Sequence, residues 1–276
     1  MKHYLRITDC SREDIMGIFR MADEIKQGQY TDILKGKTFI VFFPDSSIRT
    51  RITFEKGIRQ LGGEVILFPS GALDKREARK DVAGYLNNWA DCIIIRHQDL
   101  KLLEELAEYS RVPVINAMTA SNHPCEILSD LYALSKQEKD ITELKYTFVG
   151  TAGNIANSWV EAAKVLGLDL QQCCPAGYEI QGIPAFYDIN EVIKNTDVVL
   201  TDPLPNDCLE AFKPYQITKS LMKSAGRKIV LNPCPPFTRG EEVSADVIDS
   251  SYFVGYSFKK DLLYVQQALI LYCMLP

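Results

Sequence analysis

The chain has 276 residues, 46% of them apolar and 24% charged, with a net charge of −5. That is the balance of an ordinary globular protein long enough for one large domain or two smaller ones, and its acidic sign without any basic stretch argues against nucleic acid as a partner. The polar opening MKHYLRITDCSRED predicts no secretory leader, no apolar run reaches membrane-spanning length, and eight cysteines without C-x-x-C pairing predict reduced thiols in a cytoplasmic protein rather than a zinc or dithiol site.

The first element is the apolar run KTFIVFF, a strand over Phe39 to Phe43 closed by Pro44-Asp45. The stretch after it, SSIRTRITFEKGIRQLG, predicts a helix from Ile48 to Leu61. Ser46 or Ser47 would be its N-cap, Ile48, Ile52, Ile58 and Leu61 its apolar face, and Gly62-Gly63 its end. A strand that turns directly into a helix leaves free amide groups at the positive end of a helix dipole, an anion site. Arg49, Arg51 and the hydroxyls of Ser46, Ser47 and Thr50 add charge and donors where a phosphate would sit. The competing reading is a capped helix with arginines in surface salt bridges.

Strands follow at Glu64 to Phe68, Cys92 to Ile95 and Val112 to Ile115, with helices at Ala78 to Ala90 and Leu100 to Tyr109. The third strand leads into Arg96-His97, and the fourth into NHPCE, where His123 precedes a helix read over His123 to Asp140. His123 is equally open to a structural role. A second round has strands at Tyr146 to Gly150, Asp169 to Cys174, Val198 to Leu200 and Lys228 to Leu231, and helices at Ile155 to Leu166, Ile189 to Lys194 and Thr218 to Lys223. Such alternation predicts an α/β protein of two doubly wound parallel-sheet domains, residues 1–130 joined by a C-terminal helix at 258–276, and residues 131–257. Ligands in such folds gather at the carboxyl ends of strands, here in a cleft between the domains.

In the second half FVGTAGNIANS imitates a dinucleotide fingerprint at Gly150, Gly153 and Ala156, but the next strand ends in Cys-Cys-Pro and lacks the acid that would hold a ribose. Asn154 and Ser158 could instead take a small polar ligand. Later strand ends offer Asp202, Cys234 and Arg239. Asp202 is equally a turn residue, and Cys234 equally a buried thiol.

In this order, the residues resemble the aspartate/ornithine carbamoyltransferase family across nearly the whole chain. SSIRTRITFEKGIRQLGGEV is similar to the family's Ser-x-Arg-Thr-Arg signature, DKREARKDVAGYLNNWADCIIIRH to the loop and helix leading to its arginine, here Arg96, and HPCEILSD to its His-Pro-x-Gln-x-Leu-x-Asp segment. GTAGNIANS, TDPLP and PCPPFTRGEEV look like the ornithine branch.

The resemblance implies a carbamoyl-phosphate domain (1–130 with 258–276) and an acceptor domain (131–257). It implies Ser47, Ile48, Arg49 and Thr50 on the phosphate, with Thr50, Arg96 and His123 donating to the carbamoyl oxygen and Glu126 facing the carbamoyl amide. Asn154, Asp202 and Asn206 would hold an amino-acid acceptor, ornithine first among the candidates, with Cys234 near the attacking amine. No metal or organic cofactor is implied. The partners implied are the two small-molecule substrates and further copies of the chain in a homotrimer or a multiple of trimers, with Lys75 to Lys80 reaching a neighbour's site.

Four positions depart from the pattern. Glu126 stands for the family's Gln, Pro233 for the His of His-Cys-Leu-Pro, Asn206 to Cys208 for Ser-Met-Gly, and Leu262 for a C-terminal arginine. The chain is also short, which predicts a trimmed substrate loop. Two other readings remain: a non-catalytic relative that senses phosphate or an amino acid, and a dinucleotide oxidoreductase.

Overall fold

The computed structural model describes residues 2–137 and 140–275. The chain divides into two compact units, Met1–Ala133 with Lys259–Pro276, and Leu134–Phe258.

The first unit opens with helix α1 (Arg12–Lys26), an element absent from the sequence-based expectation. Its start is nevertheless written in the sequence: Ser11 Oγ accepts from the Asp14 amide at 3.1 Å, and Asp14 accepts from the Ser11 amide at 3.0 Å. Next come β1 (Thr38–Phe43), α2 (Arg49–Gln60), β2 (Glu64–Pro69), α3 (Arg79–Leu86), β3 (Cys92–Arg96), α4 (Leu100–Tyr109), β4 (Val114–Met118) and α5 (Pro124–Gln137). The sheet has strand order β2-β1-β3-β4, all parallel. Parallel strands are covered on both faces, so β1 and β3 are almost continuously apolar and buried. Strand β4 begins after Pro113, later than the sequence predicts, because proline cannot donate to the ladder. Helix α3 ends at Leu86, short of Ala90. The helix expected through Asp140 runs over Glu138 and Lys139, which lie outside the described residues.

Helix α2 departs from expectation at its face and at its start. Its buried positions are Thr50, Phe54, Gly57 and Ile58, whereas Ile48 and Ile52 are 65% and 57% exposed. The N-cap is Ile48, and no side chain caps the helix. The end is as expected: Gly62 has φ +88°, and a Cβ on Gly63 would stand 2.8 Å from Ile58 Cγ2, so two glycines are required to turn into β2.

The second unit contains β5 (Lys145–Val149), α6 (Asn154–Leu166), β6 (Asp169–Cys173), β7 (Ala185–Phe186), α7 (Ile189–Val192), β8 (Val198–Thr201), α8 (Leu209–Phe212), α9 (Lys219–Ser224), β9 (Val230–Pro233) and α10 (Ala245–Ile248). Its parallel sheet runs β7-β6-β5-β8-β9. The short β7, α8 and α10 carry too few residues to show a period, so the sequence does not announce them. Helix α11 (Leu262–Met274) returns to the first unit and packs on α1 and α2. It is buried nearly all round, as a helix without a polar face must be. All eight cysteines are buried free thiols.

Candidate functional site

In the first unit β1, β3 and β4 are adjacent and parallel, so their carboxyl ends emerge side by side. Each supplies part of one polar cluster. From β1 the chain turns through Pro44 into α2, where Ser47 and Thr50 are 2% and 3% exposed. From the end of β3, Arg96 Nη1 donates to Ser47 Oγ at 3.2 Å and to Thr50 Oγ1 at 3.3 Å. A register shift between Ile95 and Arg96, where β4 carries the extra residue, re-aims the side chain at this strand end. The Ser47 hydroxyl is therefore directed to Arg96 instead of capping α2, and the first-turn amides of that helix have no intrahelical acceptor. The cradle combines uncapped amides, two buried hydroxyls and a guanidinium, a donor set suited to a phosphate or an oxyanion.

The two arginines of R-T-R have different fates. Arg51 is an ordinary surface residue, paired to Glu55 at 2.7 Å one turn along the helix. Arg49 is exposed and makes no ion pair among the described residues, and its charge acts on the Glu126 carboxylate. The surface reading thus holds for one arginine only.

From β4 the chain reaches α5 through Met118 to His123, and a buried network holds that turn. Asn116 Nδ2 donates to Asn122 Oδ1 at 2.7 Å and to the Leu5 carbonyl at 2.8 Å, while Asn122 donates to the same carbonyl at 3.0 Å. Thr119 Oγ1 donates to Asn122 Oδ1 at 2.9 Å. Sequence reasoning does not pick out Asn116, Thr119 and Asn122 as support for His123; a run of short polar residues between a buried strand and a proline is the available clue. His123 itself is 7% exposed, and burial first, with Arg96 and Lys259 adding to it against the pull of Glu126, lowers its pKa to about 4. At neutral pH it is an uncharged imidazole, able to donate from one nitrogen and accept at the other.

Glu126 lies one turn into α5, is 5% exposed, and pairs with Lys259 Nζ at 2.8 Å. Burial raises its pKa, but Lys259 foremost, with Arg49 adding to it, outweighs burial and leaves the carboxylate ionised. His97 does not join the cluster: its Nε2 meets Asp74 at 2.9 Å and its Nδ1 accepts from the Asp99 amide. Residues Lys75 to Ala78 form an exposed loop, steadied by Arg79 donating to the Lys75 carbonyl.

In the second unit Asn154, Asp202 and Cys234 follow the adjacent strands β5, β8 and β9. Gly153, the N-cap of α6, would place a Cβ only 3.8 Å from Asp202 Oδ2, so that carboxylate stands at the start of the helix beside Asn154. The Cys234 amide donates to the Thr201 carbonyl at 2.9 Å, which ties the end of β9 to that of β8. Asn206 lies in an exposed turn before α8. Two suggested ligands are corrected. Ser158 is fully buried in α6 and faces no solvent, and Arg239 is a surface strut bonded to Asp249 at 2.9 Å and to the Ala245 carbonyl. Gln172 stands near the position of a ribose-binding acid, with its amide nitrogen donating to the Gly150 and Tyr178 carbonyls. Among the described residues no cluster of three or more His, Cys, Asp or Glu has metal-binding geometry, and no helix is long and apolar enough to cross a membrane.

Comparison with known proteins finds similarity along nearly the whole chain. Residues 2–136 match the family model described as aspartate/ornithine carbamoyltransferase, carbamoyl-P binding domain, and residues 142–273 match the Asp/Orn binding domain of the same family. The ornithine carbamoyltransferase of Chromobacterium violaceum is 33% identical, covering 100% of this chain and 97% of the relative, and that of Syntrophus aciditrophicus is 36% identical, covering 98% of each. The first alignment spans 299 positions against 276 residues, so the relative carries segments that this chain lacks. Among solved structures, ornithine carbamoyltransferase from Burkholderia thailandensis superimposes with a TM-score of 0.91 at 32% identity over 100% of this chain and 99% of that one. The Pyrococcus furiosus enzyme gives 0.92 at 30% identity, covering 99% and 97%. With two family models covering nearly the whole chain and relatives more than 30% identical along it, the chain belongs to the aspartate/ornithine carbamoyltransferase family.

Proposed function

We propose that this protein transfers the carbamoyl group of carbamoyl phosphate to the amine of an amino acid, with ornithine the favoured acceptor, and releases phosphate. The observation that carries the reading is Arg96 bonded to both Ser47 and Thr50 at the uncapped start of α2. The phosphate rests on the Ser47 and Thr50 hydroxyls, the Arg49 guanidinium and the first-turn amides, including that of Ile48. The carbamoyl oxygen receives hydrogen bonds from Thr50, Arg96 and the neutral His123, and the ionised Glu126 accepts from the carbamoyl amide. The amine lone pair attacks the carbonyl carbon, negative charge gathers on the oxygen held by these donors, and the C–O bond to phosphate breaks with its electron pair. The amine proton leaves to solvent or to the departing phosphate. Each preorganised donor of this kind is worth about 10²–10³ in rate. In the second unit Asp202 pairs with the α-ammonium of the acceptor, Asn154 and Asn206 complete its binding, and Cys234 lies near the attacking amine. No organic cofactor enters.

Asn206 to Cys208 place an acid, Asp207, in an exposed turn. This suits an acceptor whose far end is neutral or cationic, and a clear preference for aspartate would end that part of the reading. The wider setting we propose is cytoplasmic arginine metabolism, in a homotrimer or a multiple of it. Support for self-association comes from exposed Ile48 and Ile52 beside a surface groove of about 720 Å³ and from the exposed loop at Lys75. A second reading, a non-catalytic sensor of phosphate, is favoured by the acidic Glu126 inside the donor cluster.

One experiment separates these. Phosphate release from carbamoyl phosphate is followed with ornithine, putrescine, lysine, aspartate and short diamino acids, corrected for spontaneous breakdown, and the preparation is weighed by light scattering. Saturable release with ornithine or a close analogue is expected from a species of three chain masses. Phosphate binding without release from any amine would establish the sensor instead, and a single chain mass would remove the trimer.

A further inference from the structure

Glu126 and Asp130 stand one turn apart on the same face of α5, 5% and 2% exposed. Two like charges at this spacing repel on an exposed helix, and burial makes an uncompensated pair far worse. The compensation comes from the other end of the sequence. The 3-10 turn Tyr256–Asp261 leads into α11 and delivers Lys259, whose Nζ lies 2.8 Å from Glu126 Oε1 and 2.5 Å from Asp130 Oδ1. The lysine side chain is 18% exposed, so this is a largely desolvated set of three charges and not a surface pair. The set also borders the donor cluster, because Lys259 acts on His123 alongside Arg96, and Arg49 acts on Glu126. Leu262, one turn further on, is buried and apolar and offers no second cation.

A buried carboxylate beside a phosphate cradle is an electrostatic conflict unless a fixed cation neutralises it. We propose that Lys259 is the positioning residue of the donor site: its ammonium clamps Glu126 and Asp130, fixes Glu126 beside His123, and cancels the negative charge that would otherwise oppose an anionic ligand. This rests on the donor reading given above. Lys259 acts through Glu126 and does not touch the phosphate, so its effect depends on the carboxylate being present.

A double-mutant cycle tests this with inorganic phosphate as the probe, read by calorimetry, and with thermal unfolding as the control. Lys259→Met in the wild-type background should weaken phosphate binding roughly tenfold, and in a Glu126→Gln background about threefold or less, a coupling within the range found for residues in contact. Lys259→Arg should restore most of the affinity. Lys259→Gln, which keeps a donor to both carboxylates without the charge, replaces the methionine variant if that one does not fold. An equal loss of affinity in both backgrounds, or a lower unfolding temperature with unchanged affinity, would overturn the proposal. If the wild type binds no phosphate, the donor reading itself fails and takes this one with it, an outcome distinct from binding without coupling.

Discussion

The strand ends of the two units are built differently. In the first, the side chains placed on the donor are mostly buried and held by one another: Arg96 by Ser47 and Thr50, Glu126 by Lys259, and the turn before His123 by Asn116, Thr119 and Asn122. In the second, Asn154 and Asp202 are partly exposed, Asn206 is exposed, and a backbone bond from Cys234 to Thr201 is one tie between the strand ends. Buried polar groups must satisfy each other, so the first cluster has few arrangements open to it and tolerates little change. Exposed turn residues such as Asn206 and Asp207 carry less of that constraint and can change without unfolding the unit. On the proposed reading, the departures at Asn206 to Cys208 fall in an exposed turn that is free to set which amine is accepted, whereas the departure at Glu126 comes with a partner lysine.

The largest effect that could break the contrast is on the donor side. Arg96→Ala removes the proposed donor to the carbamoyl oxygen and the partner of two buried hydroxyls, and should lower kcat about 10²–10³-fold, with some loss of thermal stability. A decrease of only twofold in steady-state kinetics would take Arg96 out of the site. On the acceptor side, Asp202→Asn should raise KM for the acceptor roughly tenfold or more, at the strength of a charge-assisted hydrogen bond, and leave phosphate affinity as it is. If phosphate affinity changed as well, the two sides would not be separable in this way.

The last effect is on stability and is a matter of pH. His123 has its pKa lowered from 6.5 to about 4, so below 6.5 the unfolded chain binds a proton that the folded one refuses. Its contribution to stability is therefore present above pH 6.5 and lost as pH falls through about 4, by roughly 3 kcal/mol at most. Unfolding followed between pH 7 and 4 should show a shallower slope in His123→Gln than in the wild type. Equal slopes would mean that His123 is solvated and not held neutral by burial.

Much of this is legible in the chain. Alternation of strand and helix is a local property, and nearly every buried strand lies within a residue or two of its expected place because its apolar run is unbroken. Helix α1 escapes that expectation although its Ser11–Asp14 start is explicit. The face of α2 is not legible, because isoleucine spacing alone does not say which neighbours will cover it; Ile48 and Ile52 complete a period yet face outward. A serine before a helix is usually its cap, and only the position of Arg96, 49 residues away in sequence, redirects the Ser47 hydroxyl.

What the sequence by itself determined is the alternation of the main strands and helices, the two parallel sheets and the residues that leave the strand ends, since period, turn chemistry and strand exit are all set by near neighbours. Only the tertiary structure decided which of those residues meet. Arg96 comes to Ser47, Asn116 and Asn122 close on Leu5, and Lys259 comes from the turn ahead of α11 to Glu126 and Asp130, because sheet order and the return of α11 bring them within bonding distance. The reason is the short reach of hydrogen bonds and contact ion pairs: such a contact exists only at about 3 Å, and separation along the chain says nothing about it.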